Sequence, residues 1–271
     1  MEISNCVALV TGGASGIGGA LAVELAQRRA RAIALVDQSD AVADVAARIK
    51  RMGTSAVLSF TGDVTDPDFR RRVFCAVSEQ HGPVNICIPA AGITRDALAV
   101  KMNKETGHPE IYPLETFRLV IEVDFIAPIY WALETVAGIA RDRYRRGLKR
   151  WMPEEEIQGV VIFIGSASSA GIKGQLAYSA SKAGLEGAAA TLTKEAIFHG
   201  VRCATIHPGF TDTPMVRALG EDYIRKHILP DTQLGRLIRP EEIADAVCFL
   251  VSNSAVTGEL WADAGWHPSA A

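Results

Sequence analysis

CVALVTGGASGIGGA, residues 6–20, is a short apolar β-prone run, a glycine-rich turn and the opening of a helical pattern. A turn of this kind lets the backbone come close to a pyrophosphate. The free N–H groups and the positive end of the helix dipole then face the anion. Gly12, Gly16 and Gly18 are the glycines that matter, with Ser15 and Ile17 between them against the same ligand. A tight turn alone also asks for glycine, so the position after a first strand carries the argument. The rival nucleotide motif ends in Gly-Lys-Ser/Thr. Here Gly18 is followed by Gly19 and Ala20, which argues against ATP or GTP bound by that route.

The pattern repeats outward from this start. Apolar β-prone runs recur at 32–36, 56–60, 84–88, 160–164 and 201–206, with a last short one near 259–263. Longer stretches with helical periodicity lie between them. Uniformly apolar strands alternating with amphipathic helices predict an α/β fold, a doubly wound parallel sheet of about seven strands covered on both faces. No Gly/Ser/Pro linker divides the 271 residues, so the expectation is a single Rossmann-type domain over 1–271. Two segments look added to that frame: KMNKETGHPEIYP (101–113) and RDRYRRGLKRWMPEEE (141–156). Both read as solvated surface. The first is alternatively part of a substrate entrance, the second a docking patch for an acidic partner.

Composition narrows the function classes. The chain is 48% hydrophobic and 22% charged with a net charge of −3, so no overall basic field points to nucleic acid or an anionic membrane. The five cysteines are scattered without a C-x-x-C or a Cys/His cluster, which predicts no metal site and suits a reducing, cytoplasmic setting. The N-terminus lacks the basic-then-apolar pattern of a signal peptide, and no apolar run is long enough to span a membrane.

The second strand ends at Asp37, 19 residues after Gly18. An acid there can accept hydrogen bonds from an adenosine ribose and would repel a 2′-phosphate. Gln38 and Ser39 bring no positive charge to offset it, so NAD is expected rather than NADP. Asp63 and Val64, after the third strand, are expected beside the adenine edge, although a plain turn acid reads equally well.

AYSASKAG (177–184) sets one Tyr and one Lys among small residues. Four positions apart on a helix is about 6 Å along the axis and nearly one face. Placed after the fifth main strand, Tyr178 and Lys182 would point into the crevice beyond the carboxyl ends of the strands. An ammonium there is expected to lower the phenol pKa, so that Tyr178 exchanges a proton with an alcohol or carbonyl.

TGGASGIG, YSASK, HPGFTDTP (207–214) and a terminal DAG (263–265), in this order, resemble the short-chain dehydrogenase/reductase family from about residue 4 to 266. The resemblance implies a nicotinamide cofactor, a small-molecule substrate, a homotetramer or dimer, and a Ser-Tyr-Lys group assisted by an Asn. Carried over, Tyr178 is the general acid/base, Lys182 its partner on the nicotinamide ribose, and Ser166 the group that hydrogen-bonds the reacting oxygen. The Ser-to-Tyr interval of 12 is one shorter than usual, which keeps Ser168 as a second candidate. Pro208, Gly209, Phe210, Thr211 and Thr213 match the segment on the nicotinamide carboxamide.

Two positions depart from the family pattern. N-N-A-G becomes Pro89-Ala90-Ala91-Gly92, where Ala91 and Gly92 still face the cofactor but Ala90 loses an amide. The helix Asn becomes Asp124. Pro128, four residues on, has no N–H, so the Asp124 carbonyl is free to hold a water and the relay could survive. An altered pH profile is expected rather than lost activity. AGITRDALAVKM (91–102) is similar to 3-oxoacyl-carrier-protein reductases, which generally take NADPH, in conflict with Asp37. A 3-hydroxyacyl/3-oxoacyl thioester stays open beside a steroid, sugar or polyol substrate, and beside a non-catalytic dinucleotide-binding sensor or scaffold.

Overall fold

The computed structural model describes residues 1–266. The chain runs β1 (Val7–Thr11), α1 (Gly16–Gln27), β2 (Ala32–Asp37), α2 (Val42–Met52), β3 (Ala56–Thr61), α3 (Pro67–His81) and β4 (Ile86–Pro89). A hairpin follows, β5 (Val100–Met102) with β6 (Pro109–Ile111). Then come α4 (Leu114–Ile121), α5 (Ala127–Arg145), β7 (Gly159–Ile164), α6 (Leu176–Glu195) and β8 (Val201–Pro208). The short helices α7 (Pro214–Arg217) and α8 (Glu221–Tyr223), α9 (Pro240–Ser252) and β9 (Gly258–Ala262) complete it.

Seven strands form one sheet in the order β3-β2-β1-β4-β7-β8-β9, every pairing parallel. Every residue of β1, β4, β7 and β8 is buried, because helices cover both faces. One apolar layer packs α1, α2 and α9 on the sheet; the other packs α3, α5 and α6. The strand order reverses between β1 and β4, which opens a crevice beyond their carboxyl ends. The seven expected strands are all present, each within a few residues of its apolar run.

Both added segments are largely exposed, as solvated surface should be, and each is also ordered by a side chain of its own. Within 101–113, the Asn103 side chain organises the tip of the β5–β6 hairpin. Its Oδ1 accepts from the Glu105 and Thr106 N–H groups, and its Nδ2 donates to Glu110 at 2.6 Å. Tyr112 is buried beneath the hairpin and donates to the Arg95 carbonyl at 2.6 Å. In 141–156, Arg143 is fully buried. It forms a two-pronged bond to Glu155 at 2.6 and 3.1 Å and donates to the Lys149 carbonyl. Arg143 therefore straps the segment to the end of α5. Between α4 and α5 the chain makes one wide π-helical turn, Glu122–Ile126, where the Ala127 N–H reaches back five residues to Glu122. The next residue is Pro128, which cannot supply an ordinary helical N–H.

Candidate active site

The cradle is built from absent side chains. Gly12 has φ +69°, and a Cβ on it would sit 2.9 Å from the Ala91 backbone. A Cβ on Gly18 would collide with the Gly12 carbonyl, so the start of α1 lies directly on the turn. The cradle thus keeps backbone N–H groups of a helix start open to an anion. Ser15 precedes α1 with extended backbone, and its hydroxyl makes no cap to the helix. Asp37 closes the far side: its Oδ2 accepts from Ala14 N–H at 3.0 Å and its Oδ1 from Ser39 N–H at 2.9 Å. Asp63 is engaged in a turn with Thr65, while the Val64 side chain joins the core and its carbonyl accepts from Trp131. Ala91 N–H donates to the buried Thr11 hydroxyl at 3.1 Å, which ties the end of β4 to β1.

The second half of the site lies beyond β7, on the first turns of α6. Lys182 is buried with its ammonium 5.4 Å from the centre of the Tyr178 ring. The ammonium donates to the Ile164 carbonyl at 3.1 Å and lies 3.7 Å from Asp124 Oδ2. Asp124 is fully buried in the π-turn, and its Oδ1 accepts from Ile93 N–H at 2.8 Å. Gly92 admits it, since a Cβ there would stand 3.3 Å from Oδ2. Burial pushes the Asp124 carboxyl above its ordinary range, against the opposing pull of Lys182 and the Ile93 N–H. Burial also pushes the Tyr178 phenol up. Lys182 and a hydrogen bond from Ser166 oppose this, while the Asp124 charge adds to it. This corrects the expectation of a lowered phenol: desolvation of the phenolate outweighs one nearby ammonium.

Ser166 ends the β7 turn and its Oγ accepts from Ser168 N–H at 3.0 Å. One cleft is lined by Ile17, Ser166, Tyr178, Pro208, Gly209, Thr211 and Thr213 of the expected residues. Ser168 lines it too. Thr94, Asp96 and Gln175 form its polar wall, and Phe210, Met215, Val216, Leu219 and Trp266 its apolar wall.

Three comparisons bear on this arrangement. The family model described as enoyl-(acyl carrier protein) reductase matches residues 12–267. The chain belongs to the short-chain dehydrogenase/reductase family. As a member it is an oxidoreductase acting on CH–OH and keto groups. It is 33% identical over 262 residues to the 3-oxoacyl-[acyl-carrier-protein] reductase of Escherichia coli, covering 96% of each chain. It is equally identical, 33% over 251 residues and 92% of each, to the acetoacetyl-CoA reductase of Allochromatium vinosum. A solved short-chain type dehydrogenase/reductase from Mycobacterium marinum superposes with a TM-score of 0.81 at 26% identity, over 98% of this chain and 96% of that one.

Several residues of this cleft were not singled out from sequence. Thr94 and Asp96 lie in the 91–102 stretch and Gln175 just before α6, and the bridge between Ala97 and Gln175 brings them together. Asp96 accepts from Gln175 Nε2 at 2.9 Å. Thr211 and Thr213 lie in the cleft with hydroxyls already used, on the Gly209 carbonyl and on the Val216 N–H that starts α7.

Proposed function

We propose that the chain is an NAD(H)-dependent oxidoreductase that interconverts a secondary alcohol and a ketone, with Tyr178 as general acid/base. The observation that supports this is Tyr178 set between the Lys182 ammonium and the Ser166 hydroxyl, with Ser166 and Tyr178 lining the same cleft as Ile17 of the glycine turn. The residues fit a dinucleotide: Gly12 and Gly18, with no room for a Cβ against Ala91 and the Gly12 carbonyl, let the turn and the start of α1 close up as a pyrophosphate cradle, and Asp37 offers a carboxylate, not a cation, to the adenosine ribose. Asp63, the Val64 backbone, Ala91, Gly92, Pro208 and Gly209 complete the surround. Bound NADH supplies the hydride for reduction.

The chain's own groups handle the proton and the oxygen. Ser166 Oγ accepts from Ser168 N–H, and its O–H, shared with Tyr178, can turn to the substrate oxygen. Tyr178 donates its phenolic proton to that oxygen as the ketone becomes an alcohol. Its raised pKa keeps it protonated for this task at neutral pH. Lys182 then faces the phenolate. Of its three N–H donors one holds Ile164, one is turned to Asp124, and one is left for a ribose hydroxyl.

A 3-oxoacyl thioester is the substrate class with most support, from the acyl-thioester names of two relatives and the apolar wall from Phe210 to Trp266. The whole chain serves as one domain. It works as a homo-oligomer, for which the exposed small residues of α6 provide a face. The test is reduction of acetoacetyl-CoA with NADH and with NADPH. NADH should be preferred about tenfold or more in kcat/KM. Tyr178→Phe should lose roughly a thousandfold in kcat while still binding NADH by fluorescence. Retained turnover in that variant would remove Tyr178 from the mechanism, and a preference for NADPH would remove Asp37 as the selecting residue.

A further inference from the structure

His207 is the last residue of β8 before Pro208. It is fully buried, as is Thr205 two residues before it on the same face of the strand. Pairing of β7 with β8 runs to Ile164↔Ile206, and Gly165 N–H donates to the Ile206 carbonyl at 2.8 Å. The next backbone donor along β8 would be residue 208, a proline with no N–H, so the ladder stops there. The His207 side chain takes over: its Nδ1 lies 3.2 Å from the carbonyl oxygen of Ser166. A carbonyl only accepts, so Nδ1 must carry the proton.

The ring is enclosed on its other sides. It stacks on Trp261 at 4.2 Å between centres and 14° between planes; Trp261 is its register partner on β9. Its Nε2 faces two carboxylates, Glu259 of β9 at 3.5 Å and Glu186 of α6 at 3.9 Å. Gly165 gives it room, since a Cβ there would stand 2.7 Å from Nδ1 and 2.9 Å from Cε1. A polar, oriented ring has therefore been built under the one peptide that carries Ser166.

We propose that His207 is a positioning residue: through its Nδ1–H it holds the Ser166 carbonyl, and so aims the Ser166 hydroxyl at the reacting oxygen. This rests on the role given to Ser166 above. Besides the histidine, Ser168 N–H donates to the Ser166 hydroxyl at 3.0 Å and Ser169 N–H to the same Ser166 carbonyl at 3.1 Å, both from the turn that follows. Losing the histidine bond frees the turn by a fraction of an ångström, which is enough to matter in a transition state.

Asn and Gln separate this from a plain packing role. The amide nitrogen of Asn falls near the place of Nδ1, whereas that of Gln falls near Nε2. With acetoacetyl-CoA and NADH, His207→Phe and His207→Gln should lower kcat by about ten- to a hundredfold, with KM for NADH unchanged. His207→Asn should recover most of the loss. Equal kcat for Asn and Gln, or parental kcat in His207→Phe, overturns the proposal. Imidazole ¹⁵N NMR of the protein without ligand gives a readout independent of turnover. It should show a protonated Nδ1 on His207, and a bare Nδ1 overturns the proposal. Ser166→Ala run alongside distinguishes the two layers. If it keeps parental kcat, the role of Ser166 fails first and this inference falls with it. If it is inactive while His207→Phe is not, only this inference fails.

Discussion

Asp124 stands where a neutral amide would serve the same hydrogen bond to Ile93, so the consequence of its charge can be isolated. That charge acts on Tyr178 from below and favours the protonated phenol, adding to the effect of burial. Asp124→Asn removes it while keeping an acceptor for the Ile93 N–H. The Tyr178 pKa should then fall. Ketone reduction needs the protonated phenol, so its alkaline decline should begin at lower pH in the variant. Alcohol oxidation needs the phenolate, so its rise should also move to lower pH. Maximal kcat should stay within about tenfold of the parent, because no group that touches the substrate has changed. Profiles of kcat/KM against pH in both directions decide it; an unmoved or upward-moved limb would show that Asp124 does not couple to the phenol. The position of Asp124 was legible in the sequence from its V-D-F-I context. Its fully buried carboxylate was not, because burial there depends on Gly92 giving way across the chain.

At the scale of elements, the strands were legible because buried parallel strands are unbroken apolar runs, and the glycine turn because only glycine fits beneath Ala91 and against α1. The hairpin β5–β6 was not, since its six strand residues are all exposed and its order comes from Asn103, not from an apolar pattern. Likewise RDRYRR reads as surface, and only the tertiary position of Glu155 reveals that Arg143 points inward. That pair makes its own prediction. The Arg143 guanidinium holds the Glu155 carboxyl below its ordinary value of 4.5. A depressed folded value stabilises the fold above the unfolded pKa, and the effect is lost as pH falls through the folded one. Glu155→Ala should therefore lower Tm at neutral pH, leaving a buried guanidinium without its partner. The Tm gap to the parent should be full above about pH 4.5 and shrink at lower pH. Thermal melts across that range test it, and a gap independent of pH would mean that the strap holds by packing alone.

At the scale of the whole molecule, the sheet has two faces but not two equal surfaces. On the α5–α6 side, Ala180, Ala183, Gly187 and Ala190 are exposed along one face of α6. Tyr130 and Leu133 are exposed on α5, which packs in the same layer. No helix among the described residues is long and apolar enough to cross a membrane, so a bilayer-spanning helix does not account for this face. Small side chains on one helix let another backbone approach closely, and apolar neighbours reward the contact. The face also matters for the site, because α6 carries Tyr178 and Lys182 on its inner side within the same first turns. Burying its outer side against a second copy would stiffen the helix that positions both. Gly187→Arg places a long cation in the middle of the stripe and far along the helix from Tyr178. In light scattering the parent should show a dimer or tetramer, and the variant a smaller species. Its kcat should fall as dissociation proceeds, recovering at higher protein concentration. A parent that is monomeric at micromolar concentration, or a variant with unchanged mass, would detach α6 from assembly and leave its small residues to serve packing within one chain.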